Sequence, residues 1–283
     1  RAQFETEAAV TVAWTAGGYA AAAGLMLAPD DEPFGLTLAC AGGGLALVGV
    51  VCLIGLGAGR TLLIPAAVAG TILGVAGVLV HTTAVDAEVL LTVVATFVVL
   101  VGSVFPWLAL GATGTTVDQL YTPADITADP DDIDLRRVST DAHLAHEILI
   151  AISATVGLLL VLVAPLAVSL GLAGTLLACV ACLVVMLRTR QYRTGSEVLV
   201  GLVSGILGLV AVAISVLVTW EEWRPTLAVV LAVAGAVVLA ATLLPSAPSV
   251  RRGRFGDVLE TVVLISLLPL LVVASGLFDA ITN

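Results

Sequence analysis

Long apolar segments, separated by short polar connections, run along the whole chain. Most have about the 20 residues that a helix needs to cross the hydrocarbon core of a bilayer, and charged residues are almost absent from their interiors. The pattern predicts an all-α, multi-pass membrane bundle of about nine transmembrane helices. The nine segments lie approximately at residues 8–27, 34–56, 61–80, 89–110, 148–170, 172–187, 198–219, 226–244 and 258–278. The sixth is the shortest, and the tight join before it also allows the fifth and sixth to be one broken element.

The basic residues lie almost entirely on one side of this bundle. All 11 are arginines, and ten of them lie at the N-terminus or in the even-numbered connections between segments. Arg224 alone lies in an odd-numbered connection. Basic residues near transmembrane segments mark the cytoplasmic side. We therefore expect a cytoplasmic N-terminus and a C-terminus, at Asn283, outside the membrane.

The composition excludes several classes of protein. Of the 283 residues, 60% are hydrophobic and 11% are charged, whereas about 25% are charged in soluble domains. A soluble enzyme and a nucleic-acid-binding domain are excluded, so no nucleic-acid partner is expected. The four cysteines all lie in apolar segments, which argues against a disulfide framework. Because the chain begins at Arg1 without a methionine, we expect it to be part of a longer protein.

The pattern divides the chain into three parts: transmembrane helices one to four in residues 1–110, an acidic cytoplasmic loop in residues 111–147, and helices five to nine in residues 148–283. A loop of this length is usually functional or disordered. Its aspartates suit a basic surface on a cytoplasmic partner, since complementary charge orients docking, although a solvated linker remains the alternative. The aspartates chosen as candidate contacts are Asp129, Asp131, Asp132 and Asp134.

Small residues recur at helical spacing in the third and seventh segments. Glycines spaced in this way allow two helix backbones to approach closely. Packing within the chain is the simpler interpretation, and contact between chains is left open for one or two positions. The candidate packing residues are Gly70, Gly74, Gly77, Gly201, Gly205 and Gly208.

Nothing in the sequence indicates a catalytic, cofactor or metal site. Cys179 and Cys182 have CxxC spacing but lie in the middle of an apolar segment, where thiols act as small hydrophobes. His143, His146 and Glu147 resemble part of a metal site, but a solvated or interfacial helix face is favoured. Lysine is absent, which excludes the common phosphate-binding loop. No enzymatic activity is therefore expected.

Charged residues near the segment ends have simpler explanations than catalysis. Asp257 and Glu260 are expected at a helix N-terminus, where the macrodipole favours carboxylates. The clustered cytoplasmic arginines suit phospholipid headgroups or an acidic partner. These arginines are Arg188, Arg190, Arg193, Arg251, Arg252 and Arg254.

Three stretches resemble EccD, the multi-pass membrane component of the mycobacterial type VII (ESX) secretion systems. The longest is LPSAPSVRRGRFGDVLE at residues 244–260, which leads into a segment interrupted by Pro269. FPWLAL at residues 105–110 closes the fourth segment, and MLRTRQYR at residues 186–193 closes the sixth. The third to ninth segments match the family in order and spacing, so the resemblance covers most of the chain.

The resemblance implies a scaffold in the bacterial inner membrane. Family members have an N-terminal ubiquitin-like domain and eleven helices, so this chain would lack that domain and the first two helices. They pair with a second copy around a lipid-filled space, within a complex that contains EccB, the EccC ATPase and EccE. The alternative is a small-molecule transporter or exporter with discontinuous helices around a midplane site, but charged residues within the membrane are missing. An intramembrane enzyme is a weaker third hypothesis, since no candidate residues are present.

Overall fold

The computed structural model confirms the all-α class. In the part of the chain that it describes, all regular structure is helical. The described residues are 2–27, 34–57, 59–83, 85–112, 135–192, 194–243 and 250–277.

Each predicted apolar segment coincides with one of nine α-helices in these described ranges. In chain order, the helices are α1 (Ala2–Leu27), α2 (Leu36–Gly55), α3 (Ile64–Thr82), α4 (Ala87–Ala112), α5 (Leu135–Ala167), α6 (Gly171–Arg188), α7 (Gly195–Thr219), α8 (Arg224–Leu243) and α9 (Val250–Ala274). Short 3-10 turns precede α3, α6 and α8, and another follows α6 at Thr189–Gln191. Helix α5 begins at Leu135 and so includes the end of the predicted acidic loop.

Length and hydropathy identify the segments that could cross a membrane. Within the described residues, seven segments are long and apolar enough to cross a membrane. One of these, His146–Gln191, is 46 residues long and contains α6 and the part of α5 from His146 onward. The chain is therefore a helical bundle with several membrane spans, whereas the count of nine and the orientation of the termini stay predictions.

Helices α5 and α6 form a tight hairpin and not one broken helix. The connection is a 3-10 turn at Val168–Leu170, followed by Gly171 with a φ of 82°. Only glycine adopts this left-handed conformation without strain. Leu160 before the turn and Cys182 after it both approach Gly208 of α7, so the two helices run side by side.

Helices α1, α2 and α3 pack in chain order, with α2 between the other two. Glycines permit the close contacts on both sides of α2. A Cβ at Gly44 would lie 2.7 Å from the carbonyl oxygen of Ala20 in α1, and one at Gly49 would lie 2.7 Å from the nitrogen of Ala67 in α3.

The larger core lies among α4, α5, α6, α7 and α9. Its most deeply buried side chains include Leu177, Cys182 and Val184 of α6 and Leu267 of α9. A second cluster joins α3, α4 and α5. Helix α8 packs weakly against its neighbours and is exposed along almost all of its described length, so lipid or another protein would surround it.

Candidate functional site: packing ridges and a buried polar cluster

The glycines of α3 lie against the backbone of α2. A Cβ at Gly70 would lie 2.5 Å from the nitrogen of Ala46, and one at Gly77 would overlap Ala39. Gly74 has slightly more room, with the nitrogen of Gly43 at 3.3 Å from its Cβ position. The three predicted packing glycines of α3 therefore lie inside the bundle, where any side chain at Gly70 or Gly77 forces the helices apart.

The glycines of α7 face α6. A Cβ at Gly201 would lie 2.5 Å from the methyl group of Thr189, and one at Gly208 would lie 2.7 Å from the sulfur of Cys182. A Cβ at Gly205 would overlap the side chain of Met186 and lie 3.1 Å from the carbonyl oxygen of Cys182. These positions face α6 and the turn that follows it in the same chain.

The CxxC pair takes part in this packing. Cys182 is fully buried against α7, and Cys179 is half-buried. Both thiols are free, as are those of Cys40 and Cys52. The described part of the chain contains no group of three His, Cys, Asp or Glu side chains arranged to hold a metal.

Arg188 lies inside the bundle and not at its surface. The residue is 7% exposed, and its guanidinium donates a hydrogen bond to the backbone carbonyl of Ser103 in α4. The neighbouring hydroxyls of Ser153 and Tyr192 are hydrogen-bonded to each other at 3.0 Å. Because its guanidinium is buried and bonded to Ser103, Arg188 does not fit its predicted role at phospholipid headgroups or an external partner.

Glu260 belongs to the same end of the bundle. Its carboxylate accepts hydrogen bonds at 2.9 Å from the side-chain amide of Gln191 to both of its oxygens, and the residue is 9% exposed. Since α9 begins at Val250, Glu260 lies in the third turn, so the expected macrodipole explanation is wrong for this residue. A direct contact with the chain after α6 stabilises the carboxylate instead.

A second buried carboxylate joins α5 to α7. Glu197, in the first turn of α7, is 5% exposed and lies 2.6 Å from Nδ1 of His146 in α5. Thr194 and Ser196 approach the same imidazole at 3.3 and 3.4 Å. The His146 side chain therefore contacts another helix while it is 28% exposed, and the side chain of His143 lies outside the described part.

Two of the remaining predicted contact residues lie at the surface of the bundle. Arg190 is exposed, with its guanidinium against the backbone of Gly256, and Arg254 is exposed as well. Arg193 lies outside the described residues, as do the side chains of Arg251 and Arg252. The four candidate aspartates also lie outside them: Asp129, Asp131, Asp132 and Asp134.

An apolar groove of about 650 Å³ lies between α3, α4 and α5. Side chains such as Val68, Phe97 and Val101 line it. The hydroxyl of Thr155 also faces it but donates a hydrogen bond at 2.7 Å to the carbonyl of Ala151 in its own helix. The described lining therefore suits hydrocarbon better than a polar substrate.

The interhelical polar contacts were not predicted from the sequence. The local pattern places Arg188, Glu197 and Glu260 near segment ends, where charged residues normally face headgroups or water. Their burial depends on partners that are between 51 and 85 positions away in the chain. One feature of the sequence could have indicated these contacts: a carboxylate, an arginine and uncharged polar residues all lie at the same predicted side of the membrane.

Together, these features define a multi-pass, all-α membrane protein whose helices are held by glycine contacts and a buried polar cluster. The family model for the EccD-like transmembrane domain matches residues 1–283, so the chain belongs to the EccD family. This match confirms the resemblance found in the three sequence stretches.

A solved structure shares the fold. It is the structure of protomer 1 of the ESX-3 core complex, and its TM-score to this chain is 0.72 at 20% sequence identity. The alignment covers 96% of this chain and 63% of the solved one, so the chain spans less than two thirds of the length of that relative. No curated protein matches this chain.

Proposed function

We propose that this chain is a structural membrane scaffold of a type VII (ESX) secretion complex in the bacterial inner membrane. The observation that carries the proposal is the match of the EccD-like transmembrane domain to the entire chain. The fold shared with a protomer of the ESX-3 core complex supports the same assignment. The architecture suits a scaffold because glycine contacts fix the positions of α2, α3, α6 and α7.

The proposal includes pairing with a second copy around a space filled with phospholipid. Its support is the large apolar surface that the chain leaves uncovered, above all on α8, where Val229, Val237 and Leu239 are all exposed. In a membrane, such surface contacts lipid or other helices. Exposed Arg190 and Arg254, at the proposed cytoplasmic side, suit phospholipid headgroups.

The acidic loop is proposed to hold a cytoplasmic partner within an assembly that contains EccB, the EccC ATPase and EccE. Replacing Asp129, Asp131, Asp132 and Asp134 with Asn should leave the chain inserted but weaken retention of a basic partner at low salt. Raising the salt should release that partner from the unmodified chain and change the variant less, because salt screens charge pairs. Copurification across a salt series measures this effect, with Glu221→Gln plus Glu222→Gln, on the proposed opposite side, as the control. Salt-independent retention of every partner by both proteins would make the loop a tether.

Purification from native membranes tests the scaffold function itself. The expected result is a large assembly that contains a second copy and an ATPase, combined with no substrate flux when the chain alone is reconstituted in liposomes. Substrate flux through the purified chain that persists in the presence of an ATPase inhibitor would instead support the small-molecule transporter. A comparably hydrophobic multi-pass protein from the same membrane, tagged in the same way, controls for nonspecific association.

A further inference from the structure

A small cavity lies beside Arg188, between α4, α5, α6 and α7. Its volume is about 20 Å³, and its lining includes Val99, Ser153, Val184, Arg188 and Tyr192. A space of about 10–15 Å³ is enough for one water molecule if two or more polar groups surround it. This cavity is therefore large enough for one water molecule and has three polar side chains on its walls.

One polar atom at the cavity lacks a partner among the described residues. The guanidinium of Arg188 donates from Nη2 to the carbonyl of Ser103, but its Nε–H is buried and makes no hydrogen bond there. Buried donors of this kind are rare in folded proteins, and a bound water is a common reason for one. The hydroxyl pair of Ser153 and Tyr192 adds lone pairs that can accept a hydrogen bond.

The charge balance favours water over an anion. The carboxylate of Glu260 is near enough to interact electrostatically with Arg188, so the guanidinium already has an opposite charge within the chain. The remaining lining is aliphatic or glycine, as at Val99, Gly102 and Val156. A second negative charge in this small, largely apolar space would bear a desolvation cost that a neutral water avoids.

We propose that the cavity binds one water molecule, which accepts the Nε–H of Arg188 and donates to the hydroxyl pair of Ser153 and Tyr192. The water completes a hydrogen-bonded cluster at one end of the bundle. Arg188 joins α6 to α4 directly at Ser103, and the water joins Arg188 to Ser153 of α5 and to Tyr192 in the segment after α6. The hydrogen bond between Gln191 and Glu260 extends this cluster to α9.

Electron cryomicroscopy of the assembled complex in lipid, at a resolution that shows ordered water, tests the site directly. We expect one isolated density peak within hydrogen-bonding distance of Arg188 Nε and of one of the two hydroxyls. An empty cavity would overturn the proposal, as would a side chain from another part of the chain at that position. Replacing the buffer anion with bromide distinguishes a bound water from a bound anion. A density peak that strengthens in bromide is an anion and also contradicts the proposal.

A substitution that fills the cavity gives a second test, because the direction of the change in Tm depends on whether a water is bound. Val99→Ile adds one methylene group to the lining. If a water is bound, the added group displaces it and strands the Nε–H, so the Tm of the chain in nanodiscs should fall. If the cavity is dry, the added apolar contact should leave the Tm unchanged or raise it, which would contradict the proposal.

Two controls separate water displacement from general overpacking. Val212→Ile enlarges another buried valine of the same core that does not line this cavity, so it measures the overpacking effect alone. The loss from Val99→Ile should exceed that from Val212→Ile. In a Tyr192→Phe background, which removes one water ligand, the additional loss from Val99→Ile should shrink, and an unchanged loss would count against the water.

Discussion

At the residue scale, two neighbouring glycines of α2 have opposite surroundings. A Cβ at Gly42 would overlap the backbone of Gly74 and lie 2.7 Å from the carbonyl oxygen of Gly70. A Cβ at Gly43 would have no atom within 4 Å. The sequence shows only a run of glycines here, and it cannot tell which of them contacts another helix, because that depends on the rotation of α2 about its axis.

We expect Gly42→Leu to destabilise the fold and Gly43→Leu to leave it nearly unchanged. The larger side chain at position 42 separates α2 from α3, so the close contacts along the whole interface of these two helices are lost. Overpacking of this kind costs about 1–3 kcal/mol. Thermal unfolding in detergent or nanodiscs compares the two variants, and equal losses would contradict the described packing.

Gly205→Leu should disrupt the contact of α7 with α6, since Met186 and the carbonyl of Cys182 occupy the space that the new side chain needs. The expected loss is again about 1–3 kcal/mol. Val203→Leu, on the exposed face of the same helix, is the matched control. Wild-type stability and assembly of the Gly205 variant would show that this face of α7 contacts lipid.

At the element scale, hydropathy located every described helix but misplaced several ends. Helix α9 begins at Val250, eight residues before the apolar segment at 258, and α5 begins at Leu135, well before its segment at 148. An apolar segment marks where hydrocarbon surrounds the chain. Backbone hydrogen bonding continues beyond that boundary into polar sequence, so the helix is longer than the hydrophobic pattern.

The pair of His146 and Glu197 should couple α5 to α7 energetically. Removing His146 leaves the carboxylate of Glu197 buried without this partner, so His146→Ala should cost about 1–3 kcal/mol. A double-mutant cycle with Glu197→Ala should give a coupling energy of about 0.5–3 kcal/mol. Additive losses, with no coupling energy, would mean that the two side chains do not interact in the membrane.

The exposed pair of Arg224 and Glu221 provides the comparison for this cycle. Their side chains are 49% and 76% exposed, at a separation of 3.1 Å. Exposed ion pairs contribute about 0–1 kcal/mol. A cycle on this pair should therefore give a smaller coupling energy than the one between α5 and α7.

At the scale of the whole molecule, the sequence predicted the class and the family but not the neighbours of each helix. The glycine spacing in α3 and α7 indicated close contacts, and the structure supplies their partners, α2 and α6. The weak packing of α8 had no signal, because its apolar sequence is like that of its buried neighbours. Lipid and protein are similarly apolar environments, so hydropathy does not distinguish them.

The orientation in the membrane is open to direct measurement. Cysteine introduced by Asp125→Cys should react with an impermeant maleimide from the cytoplasmic side, and cysteine introduced by Asn283→Cys should react from the opposite side. Glu222→Cys, in the turn before α8, should label together with Asn283→Cys. The native cysteines lie within helices, and their replacement by alanine removes background labelling. Labelling of Asp125→Cys and Asn283→Cys from the same side would overturn the nine-span topology.

The seam between α2 and α3 also has a consequence at the level of the gene. Every single-base change of a glycine codon that substitutes another amino acid introduces at least a Cβ, and a Cβ at Gly42, Gly70 or Gly77 overlaps the backbone of the opposite helix. Therefore no single-nucleotide change at these codons gives a different amino acid that fits between the two helices. In a saturation-mutagenesis library, they should tolerate only synonymous changes, whereas the adjacent codon for Gly43 should accept small side chains freely.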